Sequence, residues 1–242
     1  MSIQDHKRLL LSSAPLIRFG QDSLPNGCAS SCLLEYRGKR ILLTVSHATG
    51  DQGDWALQLR YVPQKGTELY RLGPMNFLAE ATLSSPTLRD VDFSYVELPQ
   101  DVVAYRQEIE VPGNKIKAEA KILVHSPDLS EQPSIDDTFG FCGMVLPAKE
   151  RHFGQLYFSG EVRIYDGLTF LRTEGGYHVF KLPYKHPGHE NFEGCSGAPI
   201  INGVGIPVAL VCHGLEEQDE IWGISLSAYK TPIDILVESV VA

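Results

Sequence analysis

From Cys28 to Leu226 the chain is cut into short β-type runs by turn chemistry at close intervals, and this rhythm limits what it can fold into. Ser30 to Tyr36 and Ile41 to Ser46 are β-rich runs joined by Arg37-Gly38-Lys39-Arg40, which reads as a hairpin. Ala56 to Val62 and Phe77 to Leu83 follow, then the alternating run Arg89 to Pro99. Residues 100 to about 117 read as a crossing segment with a turn at Val111-Pro112-Gly113-Asn114. A second set of strands is expected at Ala120 to His125, Thr138 to Val145, Gln155 to Tyr165, Leu168 to Arg172 and Tyr177 to Leu182. Pro199 to Ile201 and Pro207 to Cys212 flank Asn202-Gly203-Val204-Gly205, a hairpin signal, and Ile221 to Leu226 is the last strand. Thr231 as N-cap with Pro232 in the first turn predicts one terminal helix. Residues 1 to about 25 read as an irregular arm or a first edge strand. Many short strands and a single helix indicate an all-β chain.

Composition excludes several classes of function. At 242 residues and 43% hydrophobic, the chain can bury a substantial core. A formal net charge of −9, with no basic run beyond Arg37-Gly38-Lys39-Arg40, argues against a nucleic-acid surface. No stretch is long and apolar enough for a membrane helix, and Leu9-Leu10-Leu11 lacks the flanks of a secretion signal, so a cytoplasmic location is expected. Cys28, Cys32, Cys142, Cys195 and Cys212 are odd in number and lack the spacing of a disulfide framework, which points to reduced thiols used as small core residues.

Chemistry concentrates in Gly194-Cys195-Ser196-Gly197-Ala198-Pro199. Glycines around a serine allow a tight turn in which backbone N–H groups converge on one small space, a natural oxyanion site if Ser196 is a nucleophile. An ordinary turn before a strand is the plain reading of the same residues. Upstream, His47 stands at the end of an apolar strand, and Asp92 enters an apolar strand where a carboxylate needs a partner. Asp90 competes with it, but the strand pattern aligns on Asp92. The order His, Asp, Ser, with Ala198 two residues after the serine, departs from the α/β-hydrolase elbow and fits the two-barrel serine proteases.

On these blocks the chain resembles the chymotrypsin/trypsin-like peptidase family. Leu43-Thr44-Val45-Ser46-His47-Ala48 is similar to the family's histidine strand, Asp92-Phe93-Ser94-Tyr95-Val96-Glu97-Leu98 to its aspartate strand, and Gly194 to Pro199 to its serine motif. Val208 to Gly214 resembles the strand lining the primary specificity pocket. The resemblance implies two six-stranded antiparallel β-barrels and a C-terminal helix, divided as an arm at 1–27, a first barrel at 28–112, a second at 113–228 and a helix at 229–242. It implies a trypsin-like serine endopeptidase acting on protein or peptide substrates, with Ser196 as nucleophile, His47 as general base, Asp92 orienting the ring, and the Gly194 and Ser196 N–H groups receiving the oxyanion. It calls for no cofactor. The specificity pocket would be lined by Glu190, Cys212, His213 and Gly214, an acid at Glu190 favouring Arg or Lys before the cut and a histidine at 213 suiting an acidic or polar side chain.

Two departures qualify the resemblance. Cys195 stands where cleavage-activated members carry an aspartate that pairs with a new N-terminal ammonium, so this chain is expected to need no such cleavage and to be regulated by a partner or by ordering of the loop from Pro183 to Glu193. Such a chain resembles bacterial intracellular members. Related viral enzymes use cysteine as nucleophile, but here Gly197 follows Ser196, which leaves Cys195 one residue off. Two other readings compete: a zinc-type site from His186, His189, Cys195 and Cys212, and a catalytically idle protease fold used as a binding module.

Overall fold

Alternation along the central strands supplies two cores at once. In the computed structural model, which describes residues 3–50, 54–81, 88–110, 115–152 and 155–238, strand β2 (Pro25–Tyr36) sends Ala29 and Leu33 into one buried cluster and Cys32, Leu34 and Tyr36 into another. Strand β3 (Lys39–Thr44) repeats the division, with Leu42 on the first side and Ile41 and Leu43 on the second. Successive side chains of a strand point to opposite faces, so a strand apolar on both must be covered on both.

The first half of the chain supplies the covering strands. Helix α1 (Ile3–Ser12) leads into β1 (Ala14–Phe19), and β2 and β3 pair through the tight turn at Arg37-Gly38. The short helix α2 (Ser46–Thr49) precedes β4 (Asp54–Val62), β5 (Gly66–Arg71), β6 (Asn76–Ala81) and β7 (Leu88–Leu98). These strands form one seven-stranded sheet in the order β5-β4-β1-β2-β3-β7-β6. A two-stranded ribbon, β8 (Tyr105–Glu110) and β9 (Lys115–Lys121), crosses to the second half. The expected turn at residues 111–114 lies outside the described residues.

The second half is a closed six-stranded barrel. Its strands are β10 (Thr138–His152), β11 (Gln155–Glu174), β12 (Tyr177–Lys181), β13 (Pro199–Asn202), β14 (Pro207–Leu215) and β15 (Glu220–Ser225), closed in the order β10-β11-β12-β15-β14-β13. Phe139, Phe141, Leu168, Phe180, Cys195, Ala198 and Ile200 fill its interior. Helix α3 (Lys230–Glu238) ends the described chain.

The all-β class, the closed second barrel and the terminal helix are as expected, and several details differ: the strand expected from Ala120 to His125 ends at Lys121 as β9, and the two expected from Gln155 to Tyr165 and Leu168 to Arg172 are the single strand β11. The N-terminal segment is not an irregular arm: it is a helix followed by β1, which lies inside the sheet between β2 and β4 because Ala14 and Leu16 are needed in the core. The first unit carries seven strands, with β5 and β6 at its edges. The terminal helix starts at Lys230, one residue before the expected cap, so Thr231 lies within its first turn.

The helices at the two ends change sides. Arg8 of α1 donates to the Gly203 carbonyl at 3.0 Å, and His6 meets Asp166 at 2.8 Å, both in the second barrel. Ile233 and Val237 of α3 pack with Tyr36, Ile41 and Leu43 of the first sheet, and Tyr36 Oη donates to Asp234 at 2.6 Å. Leu210, Ile224 and Leu226 complete this inter-unit core.

Candidate active site

Strand register brings the first two polar residues together. β3 and β7 run antiparallel, with Thr44 opposite Ser94 as the last pair. Beyond it, the chain after β3 enters α2 while β7 runs back to Asp92, so Ser46 and His47 arrive beside the carboxylate. Val91 and Phe93, the neighbours of Asp92, are buried and fix its direction. Asp90 is exposed and does not reach the histidine.

Asp92 is held by four donors. The His47 ring meets Oδ2 through Nδ1 at 2.7 Å, and the His47 backbone N–H donates to Oδ1 at 2.8 Å. Ser46 Oγ donates to Oδ1 at 3.0 Å, and the Cys212 thiol donates to Oδ2 at 2.6 Å. Burial alone would raise the Asp92 pKa, but hydrogen bonds from the His47 ring, the Cys212 thiol and the His47 N–H outweigh it and hold the carboxyl well below its usual range. Cys212 keeps its proton, because burial and the adjacent Asp92 charge both push its pKa up.

The other ring nitrogen of His47 faces the serine. Nε2 lies 3.1 Å from Ser196 Oγ, so Asp92, His47 and Ser196 form one continuous hydrogen-bonded line. With Asp92 accepting from Nδ1–H, Nε2 is free to accept the serine proton. The first sheet also steadies the serine turn. Ser30 N–H donates to the Ser196 carbonyl at 2.9 Å, Ser30 Oγ donates to the Gly194 carbonyl at 2.8 Å, and Thr44 Oγ1 donates back to the Ser30 carbonyl at 2.8 Å. On the barrel side, Gly197 N–H donates to the Val211 carbonyl and Val211 N–H to the Ala198 carbonyl, each at 2.8 Å.

The turn requires its glycines. Gly194 has φ +95° and Gly197 φ +87°, in the left-handed region. A Cβ on Gly194 would stand 2.1 Å from the Met144 carbonyl oxygen. Among the described residues neither the Gly194 nor the Ser196 N–H donates to a carbonyl, which leaves both available to an anion. Such a line of acid, imidazole and hydroxyl beside free backbone donors can move a proton from oxygen to nitrogen while a developing negative oxygen is stabilised.

The remaining candidates fall into different places. Cys195 is fully buried beneath the turn, its sulfur so close to Gly143 that a Cβ there would approach it to 2.5 Å, and burial holds its thiol protonated. His213 is exposed, its ring stacked on Trp222 at 5.3 Å between centroids. Glu190 is exposed on a 3-10 turn, His189–Asn191, rather than forming the buried floor that its distance from the serine implies; the buried ionisable side chain of this loop is His186. His186, His189, Cys195 and Cys212 are not gathered. Among the described residues the group of three or more His, Cys, Asp or Glu side chains able to share an ion is His47, Asp92 and Cys212, with ligand atoms within 4.8 Å of one another.

Some partners carry no sequence signal of their own. Ser30, Thr44 and Ser46 are ordinary strand or turn residues until β2, β3, β7 and the serine turn come together. Cys212 stands in a recognisable segment, but its bond to Asp92 depends on a fold-level approach between β14 and β7.

No protein-family model matches the sequence, and no curated protein does. Solved structures match throughout. A serine endoprotease from Yersinia pestis superposes at TM-score 0.56 and 11% identity, over 97% of this chain and 65% of that one. Neuropsin, a serine protease expressed in the limbic system of mouse brain, superposes at TM-score 0.58 and 12% identity, over 96% of each chain. Human heparin binding protein superposes at TM-score 0.56 and 13% identity, over 96% of this chain and 93% of that one. The chain therefore has the chymotrypsin-like fold of serine proteases, and it spans about two thirds of the length of the Yersinia enzyme.

Proposed function

We propose that this chymotrypsin-fold chain is a serine endopeptidase that cleaves protein or peptide substrates through an acyl-enzyme. The observation that carries the reading is the hydrogen-bonded line from Asp92 through His47 to Ser196, 2.7 Å and 3.1 Å long at its two links. Ser196 Oγ attacks the substrate carbonyl carbon as its proton passes to His47 Nε2, and the carbonyl oxygen, now negative, is received by the Gly194 and Ser196 N–H groups. The C–N bond then breaks, and the departing amine takes the proton from Nε2. Water repeats the sequence against the ester and frees Ser196. Asp92 stays ionised throughout, holding the ring in one tautomer and stabilising the imidazolium.

The turn's own bonds support activity without N-terminal cleavage. Cys195 N–H donates to the Phe192 carbonyl at 2.9 Å, Ala198 N–H to the Cys195 carbonyl at 2.8 Å, and Ser30 Oγ to the Gly194 carbonyl. Among the described residues, the groups that hold the Gly194–Ser196 turn are backbone N–H and hydroxyl donors. A fluorophosphonate probe should label the chain beginning at Met1, and Ser196→Ala or His47→Ala should abolish labelling while Cys195→Ala retains it. A protein that stays unlabelled under all conditions is an idle protease fold serving as a binding module.

A further inference from the structure

One atom of the site is chemically surplus to proton transfer. Asp92 Oδ2 meets the His47 ring at 2.7 Å and accepts from the Cys212 thiol at 2.6 Å. A hydroxyl in place of the thiol would donate to the carboxylate as well or better, so holding Asp92 does not call for sulfur. What sulfur adds is a ligand type. An imidazole nitrogen, a carboxylate oxygen and a sulfur converge here, with the three ligand atoms within 4.8 Å of one another. Asp92 Oδ1 is committed elsewhere, to the His47 N–H at 2.8 Å and Ser46 Oγ at 3.0 Å, which turns Oδ2 toward the other two groups. Bonds of this kind fix the direction of a ligating carboxylate.

The spacing suits an ion that replaces the two bridging protons. Tetrahedral zinc holds nitrogen and oxygen at about 2.0–2.2 Å and sulfur at about 2.3 Å, which sets neighbouring ligand atoms about 3.3–3.6 Å apart. The links from Oδ2 to nitrogen and to sulfur then open by about 1 Å or less. His47 can supply that movement, because its side chain is 48% exposed whereas Cys212 is buried and Asp92 half-buried. The open side of the ring is also the way in for the ion, and it leaves the fourth position to water. A thiolate beside an imidazole favours zinc over Mg²⁺ and Ca²⁺, which take oxygen ligands.

We propose that His47, Asp92 and Cys212 form an inhibitory zinc site that holds the triad at rest; the inhibition, though not the binding, rests on the peptidase reading above. Zinc takes the Cys212 sulfur as thiolate and releases its proton to water. It takes the lone pair of His47 Nδ1, so the ring loses its proton there and gains one from solvent at Nε2. The net exchange is one Zn²⁺ bound for one proton released. Nε2 now carries a proton on the side where Ser196 Oγ lies 3.1 Å away. A ring that donates at Nε2 cannot act as the base, and Ser196 keeps its proton. Removing the ion reverses every change, so the device needs neither cleavage of the chain nor a partner protein.

Binding is tested on Ser196→Ala protein, which keeps all three ligands and cannot turn over. Calorimetric titration with ZnCl2 should give one site per chain, and CoCl2 should give the near-ultraviolet charge-transfer band of a thiolate ligand, displaced by zinc and untouched by MgCl2. Adding Cys212→Ser or His47→Ala, each checked for folding by its thermal transition, should remove the band and weaken zinc by at least about 100-fold, the upper end of the cost of losing even an outer partner of a ligand. Cys195→Ala should keep the band. In the full chain, ZnCl2 should suppress fluorophosphonate labelling and a chelator should restore it, and Cys212→Ser should need correspondingly more zinc relative to its own metal-free labelling. No zinc binding, a band that survives Cys212→Ser, or zinc bound with labelling unchanged overturns the proposal. Absence of labelling in metal-free protein overturns the peptidase reading instead, and the titration and band of Ser196→Ala protein then still decide whether the ion binds here.

Discussion

Gly194 and Gly197 bracket the serine where no side chain fits. A Cβ on Gly197 would come within 2.1 Å of Thr44 Oγ1 and 2.2 Å of the Ser30 carbonyl, the two ends of the hydrogen bond that fixes Ser30, the residue through which the first sheet steadies the turn. Gly197→Ala should therefore cost about 1–3 kcal/mol of stability, read by urea unfolding. Gly194→Ala acts at the proposed oxyanion donor and, on that reading, should lower kcat by on the order of 10²- to 10³-fold with a smaller change in KM. Cys212 donates to Asp92 Oδ2: if the triad reading holds, Cys212→Ala should lower kcat, because the carboxylate loses one of the four donors that fix its direction toward His47, whereas Cys212→Ser, which keeps a donor there, should restore it. An unchanged kcat in Cys212→Ala, or a loss that Cys212→Ser does not rescue, would show that the thiol is only packing. At this scale the chain was partly legible. Asp92 could be preferred over Asp90 because strand alternation sets which one enters the sheet, and Ser196 over Cys195 because Gly197 follows it. The donors to Asp92 and the burial of His186 could not be read, since each depends on residues far away in sequence meeting in space.

Among the elements, β12 carries a buried histidine with a measurable consequence. His178 is fully buried between Phe170 and Phe180, with one ring nitrogen at 2.9 Å from Thr173 Oγ1 and Nε2 unpartnered among the described residues. Burial pushes its pKa down to about 4. The unfolded chain takes up a proton at this residue below about pH 6.5, whereas the native ring refuses it until about pH 4. Stability should thus fall as pH drops from about 6.5 to about 4, and the contribution should level off below that. His178→Leu should flatten this slope in urea titrations at pH 7, 5 and 4; an equal slope would assign the effect elsewhere. Strand order and the hairpins at Arg37-Gly38 and Asn202 to Gly205 were legible because turn chemistry is local. Helix α1 and the interior place of β1 were not. The apolar face of α1 is short, with Leu9 and Leu11 buried, and the surface that covers it lies in the second barrel, so no pattern within residues 1–25 shows what would hold a helix there.

At the scale of the molecule, the candidate site lies on a seam: Asp92 and His47 belong to the first sheet, Ser196 and Cys212 to the second barrel. The seam is held by the core of Cys32, Leu34, Leu43, Leu210, Ile224 and Ile233, to which α3 contributes from the far end of the chain. Ile233→Ala should cost about 2–5 kcal/mol, and thermal unfolding and probe labelling should be lost at the same temperature, because a loosened seam separates Ser196 from His47. Two separate transitions would show that the halves melt independently. The exchange of terminal helices also bears on how such a chain can be reassembled. Each half arrives without the helix that covers it: α1 is encoded with the first sheet and rests on the second barrel, and α3 is encoded with the second barrel and rests on the first sheet. A hybrid made by trading one half with a relative would thus mismatch both helix seats at once, and halves of this protein are interchangeable only when each terminal helix travels with the half it covers.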